Sequence, residues 1–159
     1  MASVAIVLGS VRPGRVGEQV VRWIEDQARQ VEGVQTVFFD LRDYRLPLFV
    51  EEMPASMQAP TLSEAVRLRA NLEANDAVLF VTPEYNHSVP AALKNAIDYL
   101  PPATLKEKAV GLVGYSWYGA VKPLEHLREI LSTFGADVRE QQVGINLGSD
   151  FQDGVFAPS

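Results

Sequence analysis

The chain has 159 residues, which fits a single domain over residues 1–159, and its 47% hydrophobic and 21% charged residues are typical of a folded globular protein. A net charge of −6 argues against a nucleic-acid-binding protein, and the absence of cysteine excludes disulfides and thiolate metal sites. The N-terminal apolar stretch is too short for a signal peptide or a membrane span, so we expect a soluble, cytoplasmic protein with no membrane contact and no metal.

Apolar runs of strand length alternate with helical patterns in the first half of the chain. Strand 1 is predicted at Val4–Leu8, and the next helix has an apolar face made of Val16, Val20, Ile24, Ala28 and Val31. Strand 2 is predicted at Val34–Leu41. The connection that follows, Arg42–Pro60, contains three prolines and no regular pattern. Connections of this length are usually functional or lie at an interface.

The second half continues the alternation. Thr61 and Glu64 have the spacing of a capping box, which predicts a helix ending near Asn75 with Leu62, Val66, Leu68 and Leu72 on its apolar face. The remaining predicted elements are strand 3 at Val78–Val81, a helix at Ala91–Leu100, strand 4 at Ala109–Val113, a helix from near Pro123 to Phe134 capped by Gly135, and a short strand 5 at Val138–Ile145. This alternation favours an α/β fold, a parallel sheet with helices on both faces.

A polar, glycine-rich turn follows strand 1 and reads Gly9-Ser10-Val11-Arg12-Pro13-Gly14-Arg15-Val16-Gly17. It matches neither the Walker loop, since Arg15-Val16 replaces the lysine and the hydroxyl residue, nor the dinucleotide fingerprint. The Ser10 hydroxyl, the amides of a helix N-terminus and the charges of Arg12 and Arg15 would suit a phosphate monoester. The alternative is a surface turn with two solvated arginines.

A second turn, bounded by two prolines, follows strand 3 and reads Thr82-Pro83-Glu84-Tyr85-Asn86-His87-Ser88-Val89-Pro90. Turns after parallel strands emerge at one edge of the sheet and build ligand sites there. Asn86 could meet the hydrogen-bonding edge of a planar ring, and Tyr85 could cover the ring's face. Alternatively, Asn86 and Ser88 are only turn and capping residues.

These two motifs, together with Leu93-Lys94-Asn95-Ala96-Ile97-Asp98, resemble the NAD(P)H-dependent FMN reductases of the flavodoxin-like superfamily. The resemblance covers nearly the whole chain. It implies a flavodoxin-like three-layer sandwich whose five-stranded parallel sheet has the order 2-1-3-4-5. It also implies non-covalent FMN at the carboxyl edge of the sheet, near the switch between strands 1 and 3.

The resemblance further assigns residues to the cofactor. The FMN phosphate would be held by Ser10, Arg12, Arg15, Val16 and Gly17, and the ribityl chain and ring by Pro83, Glu84, Tyr85 and Asn86. A third loop, Gly114–Ala120, would add Ser116, Trp117 and Gly119. Family members often have a more glycine-rich loop at this place. Trp117 therefore either stacks near the flavin or packs under a neighbouring loop.

The expected activity is hydride transfer from NADPH or NADH to FMN and on to a small-molecule acceptor: a quinone, an azo dye, a metal oxyanion or a second flavin. No side chain is expected to act as a catalytic nucleophile or base. The alternatives are a non-enzymatic electron carrier like flavodoxin, against which the two arginines argue, and a flavin-free receiver-type domain, which would need acidic residues after strand 1. The apolar residues of Leu46–Val50 and Met53 predict a homodimer or homotetramer.

Overall fold

The strands and helices of the computed structural model, which describes residues 1–158, alternate along the chain. The strands are β1 (Ala2–Leu8), β2 (Val34–Asp40), β3 (Ala77–Pro83), β4 (Ala109–Ser116) and β5 (Asp137–Asn146), and the helices are α1 (Gly17–Ala28), α2 (Ser63–Glu73), α3 (Ala91–Asp98) and α4 (Val121–Ser132). The five strands pair in parallel in the order β2-β1-β3-β4-β5. This confirms the predicted flavodoxin-like sheet.

Alternate residues of the central strands face opposite sides of the sheet, as strand geometry requires. On one side, Ala5 and Val7 belong to a core that also contains buried leucines of α2, α3 and α4. On the other side, Ile6 and Leu8 pack with buried residues of α1. The prediction of helices on both faces is therefore confirmed. Each face of the sheet is covered by its own apolar core.

Strand β4 is longer than the sequence predicted, and the difference changes the third loop. Pairing of β3 with β4 continues to Pro83 opposite Tyr115, and pairing of β4 with β5 continues to Ser116 opposite Asn146. Placing Gly114, Tyr115 and Ser116 in a loop was therefore wrong. Because Tyr115 belongs to a strand, its side chain is directed into one face of the sheet rather than into solvent.

Helix α2 begins without the predicted capping box. No side chain caps it at Leu62, and Glu64 instead accepts a hydrogen bond from Ser63. The Glu51 carboxylate from the long connection accepts the amides of Thr61 and Leu62 at 2.8 and 3.0 Å. Two predicted core positions were also wrong, because Val66 of α2 and Val31 beyond α1 are exposed.

A two-stranded hairpin near the C-terminus was not predicted. Its antiparallel strands are β6 (Phe151–Gln152) and β7 (Val155–Phe156), joined by Asp153-Gly154 with φ values of 50° and 80°. The hairpin packs on α1, where the Phe156 ring meets Trp23 edge-on at 5.6 Å between centroids. Asp-Gly between strand residues is a hairpin signal that the sequence did contain.

Across residues 1–158, the structure has no helix both long enough and apolar enough to cross a membrane.

Candidate functional site

The carboxyl ends of β1, β3 and β4 surround a cleft of about 340 Å³. Its walls are formed by Arg12, Arg15, Val16, Pro83, Glu84, Tyr85, Tyr115, Ser116, Trp117 and Leu147. A neighbouring depression of about 230 Å³ shares Glu84, Ser116 and Trp117 with the cleft and adds Asn86, His87 and Tyr118. All but three of the residues assigned from the sequence thus line one connected surface. The exceptions are Ser10, Gly17 and Gly119.

Arg15 is the most deeply buried charge at this edge, with 1% of its side chain exposed. Its guanidinium donates to Glu18 at 2.8 Å, to both carboxylate oxygens of Asp40 and to the carbonyl of Ser10. Four of its five N–H groups are thereby engaged, which leaves at most one for a ligand. The alternative of a solvated Arg15 is wrong, and the side chain fixes the first loop to α1 and β2.

The charges of this cluster hold one another ionised. Burial by itself would raise the pKa of Asp40, but hydrogen bonds from Arg15 and from the Arg42 amide outweigh burial, so the pKa lies below its ordinary value. Burial likewise would raise the pKa of Glu18, and its own amide and Arg15 lower it below the usual range. Both carboxylates are therefore ionised at neutral pH.

Ser10 joins the first loop to the second. It is fully buried, and its Oγ lies 2.7 Å from the Tyr85 hydroxyl and accepts the amide of Arg12 at 3.3 Å. Arg12 itself is exposed, and its guanidinium makes no hydrogen bond or ion pair within residues 1–158. Arg12 is thus the cation of this loop that is available to a ligand.

The N-terminus of α1 offers a close approach to its backbone. No side chain caps it at Val16. A Cβ at Gly17 would lie 2.6 Å from both Leu8 Cδ1 and Tyr115 Oη, so a larger residue there would displace one of these side chains. Amides at an uncapped helix N-terminus favour an anion.

Tyr115 was not among the predicted site residues. It is 3% exposed and lines the cleft, and its hydroxyl has no hydrogen-bond partner in the described part of the chain. Burial raises the pKa of this phenol above its ordinary value, so the oxygen keeps its proton at neutral pH. A protonated, unpaired hydroxyl next to Gly17 and an uncapped helix fits a phosphate group.

The second loop is a tight reversal in which Tyr85 and Ser88 exchange backbone hydrogen bonds of 2.9 and 3.1 Å. The two residues between them, Asn86 and His87, have positive φ values of 49° and 65°. The turn role of Asn86 is therefore present in the structure, and its side chain also borders the depression. The Ser88 hydroxyl is 3.1 Å from Nδ1 of His126 on α4.

Ser116 ties the second loop to the third. Its hydroxyl donates to Glu84 Oε2 at 2.7 Å and accepts the amides of Tyr118 and Ala120 at 3.0 and 2.8 Å. Gly119 shapes the third loop through its backbone, which has a φ of 74° and places its carbonyl oxygen 2.5 Å from where a Cβ of Gly144 would be.

Trp117 and Tyr118 form the exposed rim of the site, with 66% and 80% of their surfaces accessible. The Trp117 carbonyl accepts the side-chain amide of Asn146 at 3.1 Å, and the indole lies beside Gly148. Trp117 is therefore not buried under a neighbouring loop. It borders both the cleft and the depression.

The family profile and two related proteins that match this chain are named as flavin or quinone reductases. The sequence profile of the family described as NADPH-dependent FMN reductase matches residues 2–150. An NAD(P)H-dependent FMN reductase from Nectria sp. is 34% identical over 137 residues, which are 82% of this chain and 68% of that protein. A quinone reductase from Pseudomonas putida is 42% identical over 96 residues, covering 60% of this chain but 48% of the relative.

A solved structure resembles the whole fold. The flavoenzyme NAD(P)H:(acceptor) oxidoreductase from Paracoccus denitrificans superimposes with a TM-score of 0.74 at 27% identity, covering 98% of this chain and 86% of that one.

Proposed function

Because the chain belongs to the NADPH-dependent FMN reductase family, it is an NAD(P)H-dependent oxidoreductase that uses FMN, and we propose that FMN binds non-covalently in the cleft at the carboxyl edge of the sheet. The observation that carries this placement is the meeting of an exposed cation, Arg12, with an unpaired buried hydroxyl and an uncapped helix N-terminus. These groups match a phosphate monoester in charge and in hydrogen-bonding capacity.

At the phosphate end, the residues divide into two roles. Arg12 supplies positive charge, and the amides at Val16 and Gly17 supply donors. Arg15 and Ser10, whose polar atoms are engaged within the protein, hold the loop in shape. A guanidinium anchored to two carboxylates contributes to the cofactor mainly through the geometry that it fixes.

At the ring end, Pro83, Glu84, Tyr85 and Asn86 form the wall that we assign to the ribityl chain and the isoalloxazine. Tyr85 is held by Ser10, and Glu84 is held by Ser116, so contacts within the protein position this wall. Preorganised contacts spare the ordering cost of binding. Ser116 and Gly119 maintain the adjoining third loop.

When bound, FMN supplies the hydride chemistry. The chain's own residues bind and orient the two substrates, and no side chain of the site is needed as a nucleophile or base. The depression beside Trp117 and Tyr118 is open, and we assign it to the nicotinamide and then to the electron acceptor. Two exposed aromatic side chains favour flat acceptors such as quinones and azo compounds over metal oxyanions.

Steady-state assays test this function. Flavin-free protein should oxidise NADPH only after FMN is added, and the rate should rise with quinone concentration until it saturates. An electron carrier of the flavodoxin type would bind FMN yet show no saturable NADPH oxidation, and this result would remove the reductase activity from the proposal. Repeating the assay with NADH measures which nicotinamide is preferred.

Self-association is proposed with this function, as a homodimer or homotetramer. The long connection exposes Leu48, Val50 and Met57 to 78%, 65% and 72%, which is more apolar surface than a solvated segment normally leaves uncovered. Light scattering after size exclusion should give a multiple of 17.5 kDa. Leu48→Asp should shift it toward the monomer, whereas Val31→Asp, at an exposed valine outside the long connection, should not. A wild-type monomer at micromolar concentration contradicts the proposal.

Two wider features belong to the same proposal. Residues 1–159 form one domain, so heat should unfold the FMN-free protein in a single transition observed equally by fluorescence and circular dichroism. The protein works in the cytoplasm, where reduced nicotinamide is supplied, and fractionation of the source cells should recover it there. Two separated transitions, or recovery from another compartment, would contradict these two statements.

A further inference from the structure

The Tyr115 hydroxyl is a buried polar group without a partner in the described residues. An unpaired hydroxyl in the interior lowers stability, because the group gives up its hydrogen bonds to water and gains none in return. A phenylalanine at this position would fill nearly the same volume without that cost. The hydroxyl would therefore be stabilised by a hydrogen bond to a ligand, because the described residues provide none.

The position of the hydroxyl indicates where that partner lies. The Tyr115 ring packs in the core on the α1 side of the sheet, with Leu8 and Val113 among its cluster. Its Oη would be 2.6 Å from a Cβ at Gly17, the first residue of α1. The same side chain lines the cleft together with Arg12 and Val16. The hydroxyl thus stands at the boundary between the core and the cleft, at the N-terminus of a helix.

The neighbouring donors at this place are already engaged. Ser10 Oγ is paired with Tyr85 and accepts the amide of Arg12. Burial raises the pKa of Tyr115 and Ser10 is close enough to lower it slightly against that larger effect, but no hydrogen bond of good geometry joins the two hydroxyls. Arg15 directs four N–H groups to protein acceptors. Tyr115 is left as the buried side-chain hydroxyl beside the N-terminus of α1 that has no partner in the described residues.

We propose that Tyr115 is a specificity-determining residue for the flavin, whose hydroxyl donates a hydrogen bond to the phosphate of FMN and so favours FMN over riboflavin. This inference rests on the proposed FMN site. Riboflavin has the same ring and ribityl chain but no phosphate, so it cannot satisfy the hydroxyl. A hydrogen bond to a charged oxygen is stronger than one to a neutral group, which makes the phosphate the preferred acceptor.

Tyr115→Phe separates the effect of the hydroxyl on protein stability from its effect on flavin binding. The FMN-free variant should be as stable as the wild type or more stable, because an unpaired polar group has been removed. Its dissociation constant for FMN should rise about tenfold, as expected for a lost charge-assisted hydrogen bond. Its dissociation constant for riboflavin should not change. A residue that merely filled the core would not give this combination.

Thermal unfolding of the flavin-free proteins and titrations followed by flavin fluorescence, with FMN and with riboflavin, measure these quantities. Tyr44→Phe is the matched control, because Tyr44 is equally buried but its hydroxyl accepts a 2.8 Å hydrogen bond from Asn71, away from the cleft. This control should lose stability and keep both flavin affinities.

Two results would overturn the inference. Equal weakening of FMN and riboflavin would mean that Tyr115 only shapes the cleft. Unchanged FMN affinity in Tyr115→Phe, with weakened affinity in Arg12→Ala, would leave the FMN site in place and remove Tyr115 from it. The proposed function is contradicted by a different result, namely wild-type protein that binds no FMN.

Discussion

The first and third loops lie at the same edge of the sheet but are built in opposite ways. The first loop is closed around Arg15, whose side chain is 1% exposed and engaged with Asp40, Glu18 and a loop carbonyl. The third loop presents Trp117 and Tyr118 with 66% and 80% of their surfaces exposed. If FMN binds as proposed, its phosphate would meet a loop with fixed internal contacts, and the second substrate would meet exposed aromatic side chains.

The difference follows from the energetics of each loop. A buried guanidinium is tolerated only if its N–H groups find acceptors, and here they join a loop, a strand and a helix. The third loop is held by the Ser116 hydroxyl, which accepts the amides of Tyr118 and Ala120. It is also held by Asn146, whose side-chain amide donates to the Trp117 carbonyl. Its two aromatic side chains stay exposed. The first loop is thus tied into the protein by its buried charge, whereas the third loop leaves its aromatic side chains exposed.

The largest effect is expected from Arg15→Met, which leaves two carboxylates without their buried partner. Removing one member of such a group costs about 3 kcal/mol, so the free energy of unfolding should fall by that amount and FMN affinity should fall with it. Chemical denaturation measures the change. Arg29→Met removes an exposed pair with Asp26 and should cost less than about 0.5 kcal/mol. Similar losses of stability in the two variants would show that the buried ion pairs of Arg15 contribute no more than an exposed ion pair.

Lowering the pH should reduce the free energy of unfolding by less than Arg15→Met does. The pKa values of Asp40 and Glu18 are lowered by folding from their ordinary 3.8 and 4.5. Their contribution to stability is therefore complete above those ordinary values and is lost as pH falls through the lower values of the folded state. Denaturation between pH 6 and 3 should show this decline, and Asp40→Asn should show a flatter one. Parallel curves for the two proteins would contradict the assignment.

Removing the available cation of the first loop should affect binding without affecting folding. Arg12→Ala should weaken FMN binding about tenfold at low salt, since Arg12 is exposed and its charge faces the proposed phosphate site. The loss should shrink as salt is added. Arg22→Ala, on the exposed side of α1, is the control and should bind as the wild type does. Equal affinities of the two variants would mean that the phosphate lies elsewhere.

The smallest effect should come from the third loop. Trp117→Ala should raise KM for a naphthoquinone about fivefold, the loss of one aromatic stacking contact, while FMN affinity and stability stay the same. With ferricyanide, which has no flat ring, KM should not move. If FMN affinity fell as much as quinone affinity, Trp117 would contact the cofactor. The proposed difference between the first and third loops would then be wrong.

Sequence reasoning reached the alternating strands and helices and the two main loops because apolar runs and turn residues are local signals, whereas the order of the strands came from the family resemblance. It could not foresee the engagement of Arg15, because its partner Asp40 is 25 residues away at the end of another strand. Tyr115 was missed for a related reason. The extension of β4 through this residue depends on pairing with β3 and β5, which no short stretch of sequence encodes. The Asp153-Gly154 hairpin is different, since its local signal was present and was overlooked.

The most direct test of the account is the absorbance spectrum of the FMN-loaded protein before and after anaerobic addition of NADPH. The account predicts a perturbed, protein-bound flavin spectrum that bleaches promptly and is restored when a quinone is added. A bound flavin that NADPH does not bleach would contradict the reductase mechanism, and an unperturbed spectrum of free FMN would contradict the site itself.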